Sequence, residues 1–464
     1  MSDSLPNPVV ISEVVPSTTL YQERYRPQFH FTARENWLND PNGLVYHEGE
    51  YHLFFQHNPT GPEWDNMSWG HAVSADLLHW QQLDNALEPD KLGAIFSGSA
   101  VVDWRNTAGF QSGEAPALIL IYTAAGDAGP LSAGMPYAQC LAFSNDRGRT
   151  WEKYSENPVV PHIIGWNRDP KVSWYSPGEY WIMALYLDED SFAILTSKDL
   201  KSWERTQTIS IPGSRECPDL YEIAVDGSAD ETRWVLAGAN GLHYIGTFDG
   251  KEFTPEVGPL PTDHGTNFYA IQTYSDIPAE DGRRIQVAWM AGGVYPEMPF
   301  NQQMSFPCSL TLRRVAEGVR LFRYPVREID ALYSATHDYR DIVIRASDNA
   351  VADFPGSLFD VFLDFRYESS TSLTMKIHGH EARYSARTKT LTCLGNSVVV
   401  EPVDDLVRLR ILVDRTSIEI FASDGRVSMS FCMVPTSTGL QLLPDDAPID
   451  INRLTVNELR SAWL

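Results

Sequence analysis

A short motif recurs along the first half of the chain, each time directly after an apolar, strand-like run. The motif is a Ser-x-Asp sequence followed closely by an aromatic residue, and its copies lie roughly fifty to seventy residues apart: Ser74 to Trp80, Ser144 to Trp151 and Ser197 to Trp203, with a weaker echo at Phe248 to Phe253. The Ser and Asp side chains can bond backbone groups in a turn, and the aromatic ring can pack onto the next strand. A hairpin repeated at this period is typical of the blades of a β-propeller. Coincidental turns would not each be preceded by an apolar strand and followed by a large aromatic residue.

Strand-like patterning extends well beyond these motifs, whereas long helical periodicity is scarce. Runs with continuous or alternating apolar residues include Tyr51 to Gln56, Ala117 to Thr123, Tyr180 to Tyr186, Trp234 to Ala239 and Ile285 to Met290. Gly, Pro, Asn and Asp clusters separate the runs. The sequence therefore predicts an all-β protein built from many short antiparallel strands.

The pattern changes after about residue 320. Tyr324 to Leu332 places a proline at the first turn of a predicted short amphipathic helix. Alternating strands follow at Leu406 to Leu412, Ser417 to Ala422 and Val427 to Phe431, with a turn at Asp424-Gly425, as in a β-sandwich. We expect an N-terminal extension (1–20), a propeller (21–323), a linker helix (324–335) and a β-sandwich (336–464).

Composition narrows the class of ligand. At 464 residues the chain is long enough for two domains, and 61 acidic against 36 basic residues give a formal charge of -25. That charge disfavours binding to nucleic acids and to anionic membranes and favours neutral partners. The five cysteines form no CxxC pair, so the sequence predicts neither a disulfide framework nor a zinc site, and no cofactor or metal is expected.

The chain start predicts the compartment. Met1 to Thr19 is polar and lacks a basic segment followed by an apolar one, and no run is long enough to span a bilayer. We therefore expect a cytoplasmic protein, or a secreted one if a signal peptide has been removed.

Three carboxylates lie in turns that contain proline, and they are candidates for chemistry. These are Asp40 before Pro41, Asp169 before Pro170, and Glu216 two residues before Pro218. Proline restricts the residue before it and stiffens the turn, so a carboxylate there can be held in place. Taken singly, however, each sequence is a turn signal before it is a catalytic one.

Taken together and in this order, the three turns resemble glycoside hydrolase family 32, the β-fructosidases that include invertases, inulinases and levanases. The resemblance extends over an ordered set of motifs: 36–43, 55–59, 69–72, 96–100, 106–110, 168–171, 216–220, 268–273 and, in the second domain, 409–421. It implies a five-bladed β-propeller followed by a C-terminal β-sandwich, with the active site at the propeller axis.

The resemblance also implies roles. Asp40 would be the nucleophile, Glu216 the general acid/base and Asp169 a stabiliser that holds fructosyl hydroxyls. The chemistry agrees, because an oxocarbenium-like transition state needs a nearby carboxylate and the leaving oxygen needs a proton. Arg168 is either a surface ion-pair partner or a cation that keeps Asp169 ionised, and we favour the second. Cys217 is interpreted as a buried structural thiol.

Positions that line the fructosyl pocket in the family are matched here by Asn39, Gln56, Trp64, Phe96 and Ser97. Trp64 and Phe96 could instead be core aromatics, although the Gly-Pro-Glu sequence before Trp64 favours an exposed loop.

The sequence thus predicts a retaining hydrolase that releases terminal β-D-fructofuranosyl residues from sucrose, inulin or levan, without ranking the three. Two alternatives stay open: a fructosyltransferase that uses the same covalent intermediate, and a non-catalytic fructan-binding protein. Asp65, where many family members have glycine, weakly motivates the transferase.

Overall fold

Residues 20–345, 353–368, 372–445 and 447–463 are described by a computed structural model, so nearly all of the expected N-terminal extension (1–20) lies outside them. Five blades arranged in chain order form the propeller, and the last two are joined in one eight-stranded sheet. The strands of its first three blades are β1 (Asn36–His47), β2 (Glu50–Asn58), β3 (Ser68–Ser74) and β4 (Gln81–Gln82); β5 (Ala94–Asp103), β6 (Ala117–Ala125), β7 (Ala138–Ser144) and β8 (Glu152–Lys153); and β9 (Arg168–Tyr175), β10 (Tyr180–Asp188), β11 (Ser191–Ser197) and β12 (Glu204–Ser210).

The last two blades complete the ring. Blade four contains β13 (Asp219–Val225), β14 (Ser228–Ala237), β15 (His243–Phe248) and β16 (Phe253–Leu260). Blade five contains β17 (Tyr269–Thr273), β18 (Arg284–Trp289), β20 (Cys308–Val315) and β21 (Gly318–Pro325). In the chain between β18 and β20, the short strand β19 (Phe300–Asn301) leaves blade five. It pairs in parallel with β1 and so connects the last blade to the first.

The repeated motif forms the turn between the third and fourth strands of blades one to three, as predicted. In blade one, Ser74 Oγ donates to Asp76 Oδ1 at 3.0 Å, and that oxygen accepts the backbone N–H groups of Leu78 and His79. The Trp80 indole then donates to the Leu77 carbonyl at 3.0 Å. Equivalent bonds are made by the turns that contain Asp146 with Trp151 and Asp199 with Trp203. The motif therefore fixes the hairpin that carries each outer strand.

The predicted linker helix is shorter than expected and begins later. Pro325 closes strand β21 opposite Cys308, and a 3₁₀ helix follows at Arg327–Leu332, buried through Ile329 and Leu332. Proline is tolerated at the end of a strand because it needs no ladder donor there. The expectation that this proline opens the helix was wrong, and strand β22 already begins at Tyr333.

Two six-stranded antiparallel sheets form the sandwich. One contains β22 (Tyr333–Ile344), β33 (Ile449–Leu459), β24 (Phe359–Arg366), β29 (Leu406–Asp414), β30 (Ser417–Ala422) and β31 (Val427–Cys432); the other contains β23 (Asp353–Phe354), β32 (Leu440–Pro444), β25 (Ser372–Ile377), β26 (His380–Ser385), β27 (Thr390–Cys393) and β28 (Asn396–Val399). Alternate side chains of both sheets enclose one apolar core that includes Leu363, Met375 and Ile411. Short 3₁₀ turns also occur at Gly126–Ala128 and Ser423–Gly425.

A buried charged cluster joins the two domains. His30, which precedes the first blade, lies 2.9 Å from Asp414 Oδ2 through Nδ1 and 2.8 Å from Glu419 Oε2 through Nε2. Arg323 of blade five donates to Glu419 Oε1 at 3.0 Å and lies 3.3 Å from Asp263 Oδ2. Because these side chains are essentially inaccessible to solvent, the domains are held by ion pairs shielded from water and salt.

No helix of the described residues is long and apolar enough to cross a membrane. All five cysteines carry free thiols, and Cys140, Cys217, Cys308 and Cys393 are buried.

Candidate active site

The candidate site lies at one end of the propeller axis, where the innermost strands of the five blades begin. Asp40 lies in β1, Ser97 in β5, Asp169 in β9, and Glu216 three residues before β13. A cavity of about 340 Å³ opens there. All nine site residues predicted from the sequence line it: Asn39, Asp40, Gln56, Trp64, Phe96, Ser97, Arg168, Asp169 and Glu216.

Asp40 is fixed by two donors. Ser97 Oγ donates to Asp40 Oδ2 at 2.6 Å, and Asn39 Nδ2 donates to Oδ1 at 2.9 Å. Asn39 is itself oriented by the Trp37 indole, 2.8 Å from its Oδ1. Burial raises the pKa of the Asp40 carboxyl, the bonds from Ser97 and Asn39 lower it, and the neighbouring Glu216 raises it again. The two bonds orient the carboxylate and favour its ionised form in a partly dry site.

Asp169 is the most deeply buried of the three carboxylates. It adopts a left-handed backbone with φ of 63°, its N–H donates to Thr123 Oγ1, and its Oδ2 accepts the Cys217 N–H at 3.0 Å. Burial raises the pKa of Asp169 to about 7; Arg168 lowers it, but Glu216 and Asp40 raise it. Arg168, whose Nε lies 3.7 Å from Asp169 Oδ2, lowers the pKa of Asp169 in the expected direction, but desolvation outweighs it.

Arg168 directs its strongest contact to Glu216 instead. Its Nη2 donates to Glu216 Oε1, its Nη1 donates to the Trp166 carbonyl at 2.9 Å, and its guanidinium lies over the Tyr186 ring. Burial lowers the pKa of Arg168, but Asp169 and Glu216 outweigh it and raise that pKa above its ordinary value. Arg168 is thus a permanent cation shared by two carboxylates.

A second donor completes the surroundings of Glu216. The Tyr269 hydroxyl donates to Glu216 Oε2 at 2.8 Å, so each carboxylate oxygen has one protein partner. Glu216 and Cys217 both have left-handed backbones, with φ of 56° and 38°. Consecutive non-glycine residues in this region are uncommon and cluster at functional sites, and here the turn directs the Glu216 side chain into the cavity.

Cys217 lies between two of the carboxylates. Its Sγ is 3.6 Å from Asp40 Oδ2 and 3.6 Å from Asp169 Oδ2. Burial and the surrounding carboxylates raise the pKa of this thiol well above its usual range. A thiol that stays protonated is a weak donor to both carboxylates and a poor nucleophile.

Aromatic rings form the rim of the cavity in a chain of contacts. Trp64 meets Phe96 edge-on at 6.0 Å, Phe96 meets Tyr137 edge-on at 5.8 Å, and Tyr137 stacks on Trp166 at 6.0 Å. Trp64 is 51% exposed and Trp166 63% exposed, so Trp64 is not a core residue. Exposed, ordered rings offer flat apolar faces on which sugar rings can stack.

Four aromatic residues of the cavity were not predicted as site residues: Tyr137, Trp166, Tyr269 and Trp289. Two of them carried a signal, because Tyr269 lies inside a recognised motif and Trp166 stands two residues before Arg168. Tyr137 and Trp289 reach the site only through the folding of loops and blades, which a single sequence does not reveal. Among the described residues, no group of three or more His, Cys, Asp or Glu side chains is placed to hold a metal ion.

Comparison with known families agrees with this geometry. The profile described as "Glycosyl hydrolases family 32 N-terminal domain" matches residues 30–325, and "Glycosyl hydrolases family 32 C terminal" matches residues 328–458. The chain belongs to glycosyl hydrolase family 32. The sequence-based prediction of the family, and with it of a β-fructofuranosidase with a propeller and a sandwich, is confirmed.

Relatives of this family 32 enzyme match over nearly its whole length. A levanase of Bacillus subtilis is 37% identical, over 96% of this chain and 72% of its own length. An extracellular exo-inulinase of Aspergillus niger is 30% identical, over 96% of both chains. The crystal structure of an exo-inulinase from Aspergillus awamori superposes with a TM-score of 0.84 at 27% identity, covering 96% of this chain and all of that one. A fructofuranosidase from Schwanniomyces occidentalis complexed with fructose gives 0.83 at 27%, covering 95% and 99%.

In this family 32 enzyme, Asp169→Asn is expected to raise stability at alkaline pH while lowering activity. The folded pKa of about 7 exceeds the ordinary 3.8, so the ionised carboxylate destabilises the folded state as pH rises from about 4 to 7. Asparagine removes that loss and keeps an acceptor for the Cys217 N–H. We expect a gain of a few kcal/mol at pH 8 that vanishes near pH 4, measured by thermal unfolding.

The control for this experiment is Asp84→Asn, which alters an exposed carboxylate of the same propeller. A stability difference between wild type and Asp169→Asn that stays constant from pH 4 to pH 8 would contradict the pKa assigned to Asp169.

Proposed function

We propose that this protein is an exo-acting, retaining β-fructofuranosidase that releases terminal fructosyl residues from sucrose or fructans. The observation that carries the proposal is the meeting of Asp40, Asp169 and Glu216, distant in sequence, around one small cavity. A non-catalytic binding protein would have no use for three mutually repelling carboxylates that each cost free energy to bury.

Asp40 is proposed as the nucleophile. Displacement at the fructosyl C2 develops positive charge on the ring, and an ionised carboxylate beneath it stabilises that charge before it bonds covalently. Ser97 and Asn39 hold both Asp40 oxygens, so little reorientation is needed when the bond forms. The same two hydrogen bonds stabilise the Asp40 carboxylate when it is released from the fructosyl C2 in the second step.

Glu216 is proposed as the general acid and then the general base. It must protonate the oxygen of the departing sugar and later take a proton from the attacking water. Arg168 and Tyr269 hold its two oxygens. These donors come from different blades and fix the carboxyl group in position, and each oxygen keeps a second lone pair for the glycosidic oxygen.

Asp169 is proposed to hold fructosyl hydroxyls. Its Oδ2 already accepts the Cys217 N–H, so the carboxyl group is aligned by the same turn that carries Glu216. A pKa near 7 lets Asp169 either accept or donate a hydrogen bond to a sugar hydroxyl near neutral pH.

Exo attack is supported by the size and shape of the cavity. About 340 Å³ suits one or two sugar rings, and the exposed rings of Trp64 and Trp166 stand at its rim, where the rest of the substrate would lie. Two of the relatives described above are named as exo-inulinases, which supports the same mode of attack.

Incubation with sucrose, inulin and levan tests the proposal. We expect fructose as the first product from at least one of them, and methyl β-D-fructofuranoside when methanol is added, because methanol replaces water in the second displacement and two inversions give retention. Glu179→Gln serves as a control and should react normally. The Glu179 side chain is 69% exposed, and it pairs with Arg105 on the surface. Absence of fructose release from all three sugars, or formation of the α-methyl product, would overturn the proposal. Accumulation of oligosaccharides longer than sucrose at high sucrose concentration would reassign the enzyme as a transferase.

A further inference from the structure

A second cavity lies at the opposite end of the propeller axis. The active-site residues lie near the beginnings of the innermost strands. This second cavity, of about 450 Å³, is lined farther along the same strands by Val102 in β5, Tyr175 in β9, Glu222 in β13 and Asp276 after β17. None of its lining residues is shared with the active-site cavity. Its volume is sufficient for one or two sugar rings.

The wall of this second cavity carries an ordered, exposed tryptophan. Trp104 is 60% exposed, and in the described chain the tryptophans more than half exposed are Trp64, Trp104 and Trp166. Two of these border the active site, and Trp104 borders the second cavity. Its indole Nε1 donates to Asp276 Oδ1 at 2.9 Å, so the ring is held as a rigid platform. Trp174, packed edge-on against Trp181 at 5.0 Å, lines the same wall and carries the Arg105 guanidinium over its ring.

The charged groups of the cavity are held mainly by hydrogen bonds to backbone groups. Lys171 donates to the Thr273 carbonyl and lies 3.7 Å from Asp219, and Arg284 donates to the Tyr274 carbonyl at 3.2 Å. Asp276 accepts the Val102 N–H at 3.0 Å in addition to the Trp104 indole. The lining thus holds Arg105, Lys171 and Arg284 beside Glu222 and Asp276, so charges of both signs are present in nearly equal number, and a neutral polyhydroxylated molecule meets both donors and acceptors there.

Tyr221 supplies an unused polar group. It lines the cavity, is 3% exposed, and its hydroxyl has no hydrogen-bond partner among the described residues. A buried hydroxyl without a partner costs about 1–3 kcal/mol, and this one is covered by its surroundings, so a ligand would reach it only after a neighbouring side chain moves. The cavity therefore combines a stacking platform with a polar floor that carries charges of both signs.

We propose that this second cavity, formed by Trp104, Trp174, Tyr221, Asp276 and Arg284, is a non-catalytic carbohydrate-binding site that holds sugar rings of a fructan chain. The choice of fructan rests on the proposed function, whereas the preference for a neutral saccharide rests on the cavity itself. A chain bound at this end of the propeller is kept near the enzyme between cleavage events, which raises its effective concentration at the active site.

Binding is measured with the Asp40→Asn variant, which holds the sugar without cleaving it. Titration with short inulin and levan oligosaccharides is expected to give two sites per chain. Adding Trp104→Ala should leave one, and Trp104→Phe, which keeps an aromatic face but loses the bond to Asp276, should weaken the second site about tenfold. Val399→Ala truncates an exposed apolar residue of the sandwich, 56% accessible, and should change neither site.

Kinetics supply the second readout in an otherwise unaltered enzyme. Trp104→Ala is expected to raise the KM for the polymer severalfold with kcat unchanged, while sucrose, too short to reach both ends of the propeller, should show no change. One site per chain, identical with and without Trp104, would overturn the proposal. Failure of the proposed function is a separate result, because it appears as no fructose release by the wild-type protein, whatever the number of sugars bound.

Discussion

Asp40→Asn is expected to lower fructose release from every substrate on the order of 10⁴-fold or more, because an amide neither stabilises the oxocarbenium-like state nor forms the glycosyl ester. The variant should fold, since burial raises the pKa of Asp40 and a neutral side chain of equal size is tolerated in that position. Ser97 and Asn39 would keep partners on the amide. The loss should therefore lie in kcat and leave the unfolding temperature near that of the wild type.

Glu216→Gln should show a different signature. On sucrose, whose leaving group needs a proton, we expect a loss of about 10³-fold. On an aryl β-fructofuranoside, whose leaving group departs without protonation, the first step should be nearly normal, giving a burst of phenol followed by slow turnover because no base activates water. Asp40→Asn should give no burst with either substrate.

The pair of variants separates the two roles. Normal activity in either variant, or a burst in Asp40→Asn but not in Glu216→Gln, would show that the nucleophile and the acid/base have been assigned wrongly. Glu179→Gln again serves as the control, because it makes the same chemical change on the protein surface.

His30→Leu is expected to destabilise the protein by about 3–5 kcal/mol, because it leaves Asp414 and Glu419 buried without their shared cation. Burial lowers the pKa of His30, but bonds to the two carboxylates raise it to about 9. The same contact, opposed by burial, lowers the pKa of Glu419 to about 2.

These shifts set the pH dependence. The contribution of His30 is complete below its ordinary pKa of 6.5 and is lost as pH rises through about 9, a change of about 3 kcal/mol. The contribution of Glu419 is complete above its ordinary 4.5 and is lost as pH falls through about 2. Calorimetry should thus show the advantage of the wild type over His30→Leu at its largest near pH 5 to 6 and shrinking toward pH 10.

A matched control is available on the surface. His337 bonds Glu458 at 2.8 Å with both side chains more than a third exposed, so His337→Leu should cost less than about 1 kcal/mol. An equal effect of the two substitutions, or a His30→Leu penalty that is the same at pH 6 and pH 10, would show that the buried pairs do not behave as charges.

The blades were predictable because their turns are local. A Ser-x-Asp sequence and the following tryptophan satisfy one another within a few residues, so the signal survives in a single sequence. The hairpin of blade five, between Val315 and Gly318, has no such motif, and strand β19 leaves that blade altogether. The prediction of a fifth blade therefore depended on the resemblance to family 32. The linker helix was misplaced because a proline that ends a strand and a proline that begins a helix look alike before the fold is known.

The sequence identified the residues that converge at the site, but it did not show how their charges interact. Asp40, Asp169 and Glu216 were recognised by their order. The prediction that all three lie in turns was wrong for Asp40 and Asp169, which lie in strands β1 and β9, and holds for Glu216. The partner of Arg168 was assigned to its chain neighbour Asp169, whereas the fold brings Glu216 from another blade closer to its terminal nitrogens. Adjacency along the chain identified the longer contact, 3.7 Å between Arg168 Nε and Asp169 Oδ2, and missed the hydrogen bond to Glu216.

Asp414 of the sandwich binds the chain segment that leads into the propeller, and this matters for protein engineering. Its two oxygens accept the backbone N–H groups of Gln28, Phe29 and His30, and strand β1, which carries Asp40, begins at Asn36, six residues later. Excising the sandwich would strip these amides of their acceptors and free the lead-in to β1. The sandwich therefore supports the start of the propeller, and chimaeras that exchange one domain without the other must keep the contacts of Asp414 with residues 28–30.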